Sequence, residues 1–153
     1  MFTLPNFAAH TALYKIAKIM SRIFQLQEKL KIENTLEIPK SNQKISKTLK
    51  NLYQMNLNDE TIILAFYFVD QITQKLRIFL NLENSTGLLI GAIIIADKIL
   101  NDQHRTIDRY QLASGLKKQQ LIQIEKYFLE ILDYNLFVSE EKFEQYQKRV
   151  QNY

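Results

Sequence analysis

The chain has 153 residues, enough for one domain with its own core, since a domain of that size buries roughly 70% of the surface its unfolded chain exposes. Hydrophobic residues make up 46% and charged residues 24%, with only three Gly and two Pro to make turns, which suits helices joined by short loops and disfavours a sheet protein. The absence of Cys excludes disulfide and thiolate chemistry, and an intracellular location is expected, in cytoplasm or nucleus rather than mitochondrion.

The formal net charge of +4 is uneven: residues 1–50 carry nine Lys or Arg against three Asp or Glu, and residues 51–153 carry eleven against thirteen. The basic residues of the first third are mostly Lys spaced along helical segments, the pattern of a solvated face. A nucleic-acid surface asks instead for clustered Arg with aromatic platforms. The first 27 residues hold Lys15, Lys18 and Arg22 and no acid, as a targeting presequence would, but the segment is expected to stay with the domain.

In chain order, Leu13, Ile16, Ala17, Met20, Ile23, Phe24 and Leu30 follow a 3.6-residue period and predict an amphipathic helix over residues 7–31. Residues 32–43, with Thr35, Pro39, Ser41 and Asn42, have turn chemistry and read as a connector. A short helix follows through Ile45, Leu49 and Leu52, ending near Asn56. Asn58 then offers a cap and Asp59 and Glu60 an acidic first turn for a helix through Ile62, Phe66, Val69 and Ile72.

Asn84 or Ser85 can cap the next helix, over residues 86–101. Its apolar run, residues 87–96, is ten long, about half of what spans a membrane, and Gly91 and Ala92 leave room for a second helix to pack closely. The run Ile93-Ile94-Ile95 also suits a buried strand, which periodicity alone does not distinguish; only the helical neighbours decide it. A polar loop over residues 102–105, a short helix at residues 110–113, a break at Ser114-Gly115 and a long helix over residues 117–132 come next. Asp133-Tyr134-Asn135 ends that helix, and Ser139 with Glu140 and Glu141 opens a last one containing Phe143, Tyr146 and Val150.

The predicted class is all-α, and the order of signals over residues 45–146 resembles a cyclin box. The matching pieces are Asp59-Glu60-Thr61 leading into Ala65-Phe66-Tyr67-Phe68-Val69-Asp70, then Ala96-Asp97-Lys98-Ile99-Leu100, then residues 121–129, and finally Leu132-Asp133-Tyr134-Asn135-Leu136. Ile45-Ser46, the polar insert between Asp102 and Asp108, Tyr110 and residues 112–116 further resemble single-box cyclins of the phosphate-responsive (P/U) type. The expected organisation is an N-terminal helix and connector over residues 1–43, a five-helix cyclin box over residues 44–138 and a C-terminal helix over residues 139–153.

The resemblance implies a non-catalytic protein that binds a cyclin-dependent kinase and holds its regulatory helix, with no cofactor or metal of its own. Lys98 and Glu125 stand where that family reaches the kinase, and Ile99, Leu129, Tyr134 and Leu136 stand where it places apolar anchors. Taken singly, Lys98 and Glu125 also suit an intramolecular pair, and Ile99 and Leu129 suit the core, whereas Tyr134 and Leu136 lie beyond the helix end. Asp70 matches an internal aspartate that pairs with a basic residue on the first helix of the box, for which only Lys44, Lys47 and Lys50 are available.

Gly87 stands where that family has a large side chain, and the Trp-marked docking groove on its first helix has no match. The alternative reading is a cyclin-fold structural subunit of a large assembly without kinase regulation, and a third is a DNA-touching cyclin fold that uses the basic N-terminal third. The two histidines, His10 and His104, sit in no metal spacing, and no Gly-rich phosphate loop occurs.

Overall fold

The computed structural model describes residues 2–31, 36 and 38–153. Among them are seven helices and no strand: α1 (Ala12–Leu30), α2 (Ile45–Gln54), α3 (Asp59–Leu76), α4 (Ser85–Leu100), α5 (Ile107–Ser114), α6 (Lys118–Ile131) and α7 (Glu140–Gln151). The expected connector falls partly on residues 32–35 and 37, outside the described residues; around them Leu36 and Ile38 are buried.

Side-chain caps set the starts of α1, α3 and α7. The Asn58 side chain accepts from Thr61 N–H at 2.9 Å, and the Ser139 hydroxyl accepts from Lys142 N–H at 3.2 Å, so α3 and α7 begin where their caps stand. α1 begins five residues later than its periodicity suggests because Thr11 caps it, accepting from Tyr14 N–H at 3.3 Å. Asn84 precedes α4 without capping it: its side chain accepts from Asn81 N–H at 2.9 Å and donates to the Phe79 carbonyl at 3.0 Å, closing the preceding turn.

The Ile93-Ile94-Ile95 run is helical, in the middle of α4, whose residues from Ser85 to Asp97 are all buried. A helix so surrounded needs neighbours on every side, and α4 has them in α3, α6, α5 and α2. Gly91 makes the crossing with α6 possible. A Cβ there would lie 2.4 Å from the Phe128 ring and 2.6 Å from Ile124, so any larger residue would push the two helices apart.

Both terminal helices share this core, through Ile16, Ala17, Met20 and Phe24 of α1 and Tyr146 and Val150 of α7. α1 lies against α3, α7 and α2. Its Lys15 donates to the Gln151 carbonyl and its Lys18 to the Tyr153 carbonyl at 3.5 Å, so two lysines neutralise the negative end of α7. The terminal helices and those between them thus share one hydrophobic core. No helix among the described residues is long and apolar enough to cross a membrane.

Candidate functional site on the rim of α4 and α6

α4 is buried until its last turn, where it emerges carrying Lys98, Ile99 and Leu100. α6, packed beside it through Gly91, brings Glu125 to the same rim. Lys98 Nζ donates to both carboxylate oxygens of Glu125, at 2.7 and 2.9 Å, with the lysine side chain 48% exposed and the glutamate 19%. The two predicted charges thus stand together, paired within the chain. A pair this accessible contributes no more than about 1 kcal/mol to the fold. Lys98 keeps a third donor, and Glu125 keeps further lone pairs.

The apolar candidates divide by exposure. Ile99 is 43% exposed and Tyr134 63%, while Leu129 and Leu136 are partly buried against the core. Ile99 suits the core on sequence grounds; in the structure it lies in the exposed last turn of α4. Tyr134 stands on an unusual backbone, since it and Asp133 are consecutive left-handed residues with φ of +55° and +53°. Three backbone bonds hold this reversal: Asp133 N–H to Glu130 at 3.0 Å, Tyr134 N–H to Leu129 at 2.9 Å and Asn135 N–H to Leu132 at 3.0 Å. Left-handed non-glycine residues also follow α1, α2 and α3, at Lys31, Asn56 and Arg77, so the conformation serves here to end a helix.

Phe137, in the same loop, is 82% exposed and went unnoticed in the sequence. An aromatic among Leu136, Val138 and Phe143 reads as core, and only the path of the loop turns it to solvent.

Behind the rim lies a carboxylate that sequence reasoning also passed over. Asp97 is fully buried, and its oxygens accept from Tyr110 OH at 2.6 Å, Asn101 Nδ2 at 2.7 Å and Arg105 N–H at 2.9 Å, with the Arg105 guanidinium 3.5 Å away. Burial works to raise its pKa, but the Tyr110, Arg105 and Asn101 bonds and the Arg105 charge outweigh it and hold the carboxyl below the usual value. The same contacts drive the Tyr110 hydroxyl far upward: burial first, then its bond to Asp97 and the aspartate charge. This knot ties the polar insert and α5 to the last turn of α4, one residue from Lys98. The available signal was position: Asp97 follows Ile90 and Ile93 by seven and four residues, on a face that is apolar throughout.

Asp70 departs from expectation. Its partner is Tyr146 of α7, whose hydroxyl donates to Asp70 at 2.9 Å, with Arg149 adding its charge. Lys44, Lys47 and Lys50 make no ion pair among the described residues, because α2 does not pack on α3. Here burial prevails over the Tyr146 bond and the Arg149 charge, and the Asp70 pKa is raised. The Tyr146 hydroxyl is raised too, by burial and then by the Asp70 charge and bond.

Gly87 has its own explanation. A Cβ there would sit 2.7 Å from Ile38 Cδ1, so the missing side chain admits Ile38 from the segment before α2. No three His, Asp or Glu side chains converge as metal ligands among the described residues. Residues 49–137 match the family described as cyclin, N-terminal domain. No curated protein matches the chain.

Proposed function

The chain belongs to the cyclin family through this N-terminal domain, and from that premise we propose that it is a non-catalytic regulator that binds a cyclin-dependent kinase and steadies the kinase's regulatory helix. The rim of α4 and α6 is the contact surface in this reading, with Lys98 and Glu125 fixing register and Ile99, Leu129, Tyr134 and Leu136 supplying apolar anchors. A kinase needs its regulatory-helix glutamate paired with the ATP-site lysine before phosphoryl transfer, and a rigid helical partner favours that arrangement without contributing a catalytic atom. The polar insert and residues 112–116 put the chain, in the same proposal, with single-box cyclins of the phosphate-responsive type.

The observation that carries the reading is the accessible Lys98–Glu125 pair with its chain neighbour Ile99 turned outward. Charge-assisted bonds of this kind fix orientation at an interface, whereas large apolar anchors dominate its energy. Exchanging the two charges, Lys98→Glu with Glu125→Lys, preserves the internal pair and inverts what a partner meets. The expected outcome is an unchanged melting temperature and at least a tenfold loss of kinase co-purification. Undiminished kinase association by the exchanged protein overturns the proposal, and stoichiometric incorporation into a large assembly without kinase activity favours the structural-subunit alternative.

A further inference from the structure

A groove of about 230 Å³ runs between α2 and α5, lined by Asn51, Gln54, Met55, Arg109, Leu112 and Ala113. Asn51 Nδ2 donates to the Ala113 carbonyl at 3.2 Å and ties its two walls together. Leu112, on the α5 wall, is 80% exposed. Lys47 and Lys50 stand one turn before Asn51 and Gln54 on α2 and so flank the end of the groove.

Lys47, Lys50 and Arg109 are all exposed, and none is in an ion pair among the described residues. None has an acid three or four residues away in the chain. The acid beside Arg109, Asp108, is held on the α6 side of α5, where the Gln111 amide donates to it at 3.1 Å and accepts from Lys118 N–H at 3.0 Å. Residues 38–58 hold four lysines and no acid, and of the four only Lys40 is paired among the described residues, with Glu83 at 2.5 Å.

This arrangement opposes the stability of α2. Lysines three apart on a helix repel by about 0.2–0.5 kcal/mol, and Lys44 and Lys47 meet the positive end of the helix dipole. Cations on both walls of a concavity, with an aliphatic side chain at its edge, match a chain that carries carboxylates around an apolar residue. Single-stranded nucleic acid asks for aromatic platforms, and the one ring of α2, Tyr53, is already stacked on Phe7 at 4.4 Å.

We propose that this groove docks an acidic segment of a partner protein, with Asp or Glu over Lys47, Lys50 and Arg109 and an aliphatic side chain against Leu112. No residue of the groove belongs to the rim of α4 and α6, so the proposal goes beyond kinase binding and stands or falls apart from it.

The test is fluorescence anisotropy of the whole protein with a fluorescein-labelled peptide in which Glu residues flank a Leu, beside the same peptide with Lys in place of Glu and a labelled single-stranded oligonucleotide. Binding of the Glu peptide alone is expected, weakened by added salt. Lys47→Glu with Lys50→Glu should weaken it at least tenfold and Leu112→Ser about threefold, both with the melting temperature held, since Lys47→Glu suits the first turn of α2 and Leu112 lies in solvent. Equal binding of the two peptides, binding of neither, tighter binding of the oligonucleotide, or binding indifferent to these substitutions overturns the proposal. A failed peptide result leaves the kinase reading standing, because the Lys98 and Glu125 exchange tests that reading alone.

Discussion

Two aspartates, Asp97 fully buried and Asp70 partly buried, meet two tyrosine hydroxyls in this molecule, and their pKa values are displaced in opposite directions. Asp97 binds Tyr110 at 2.6 Å and is held below the ordinary carboxylate pKa; Asp70 binds Tyr146 at 2.9 Å and is raised above it. Burial opposes ionisation at both. The number of donors differs between them: Asp97 has Asn101, the Arg105 amide and the Arg105 guanidinium besides its tyrosine, while among the described residues Asp70 adds the Arg149 charge. A buried carboxylate is thus a strong tie when several donors meet it and a weak one when a single hydroxyl does. The strong tie holds the rim of α4, and the weak one joins α7 to α3.

The comparison is broken most forcefully by removing the carboxylates. Asp97→Ala strands Tyr110, Asn101 and Arg105 and is expected to cost about 3 kcal/mol or more in urea unfolding, whereas Asp70→Ala should cost about 1 kcal/mol. Similar losses at the two sites would mean that donor number does not govern them.

Removing one hydroxyl at a time sharpens the point. Tyr110→Phe takes a bond from an ionised acceptor and should cost about 2 kcal/mol, and Tyr146→Phe about 1 kcal/mol or less, by the same unfolding measurement.

The smallest effect is the pH dependence. The folded pKa of Asp97 lies below its unfolded value of about 3.9, so its contribution is complete above that pH and fades as pH falls through the folded value. The folded pKa of Asp70 lies above its unfolded value, so its contribution is complete below about pH 3.9 and fades as pH rises through the folded value. Urea midpoints between pH 3 and pH 8 should therefore lose part of their acid-side fall in Asp97→Asn and part of their decline above pH 4 in Asp70→Asn. Identical profiles for the two variants would refute the assignment.

Much of the rim was visible in the residues. Lys98 and Glu125 were singled out by resemblance and meet on the rim, and the small residue at Gly91 marked a close helix passage, that of α6, which brings Glu125 there. Asp97 was visible only as part of the stretch that resembles the family, without its partner, because the Tyr110 that binds it lies on another helix, 13 residues on. Phe137 had the composition of a core residue and the location of a surface one. The partner of Asp70 was misread for want of one fact, that α2 does not pack closely on α3.

The sequence by itself determined the all-helical class, the starts of α3 and α7 at Asn58 and Ser139, and the burial of α4. Caps and periodicity act over one turn of chain and need no knowledge of what lies across the core. Only the tertiary structure decided which tyrosine met which aspartate, that Ile99 and Phe137 faced water, and that Lys47, Lys50 and Arg109 flanked one groove. Those relations are set by how helices distant in sequence cross, and close packing fixes the crossings through volumes such as those of Gly91 and Phe128 that no local pattern contains.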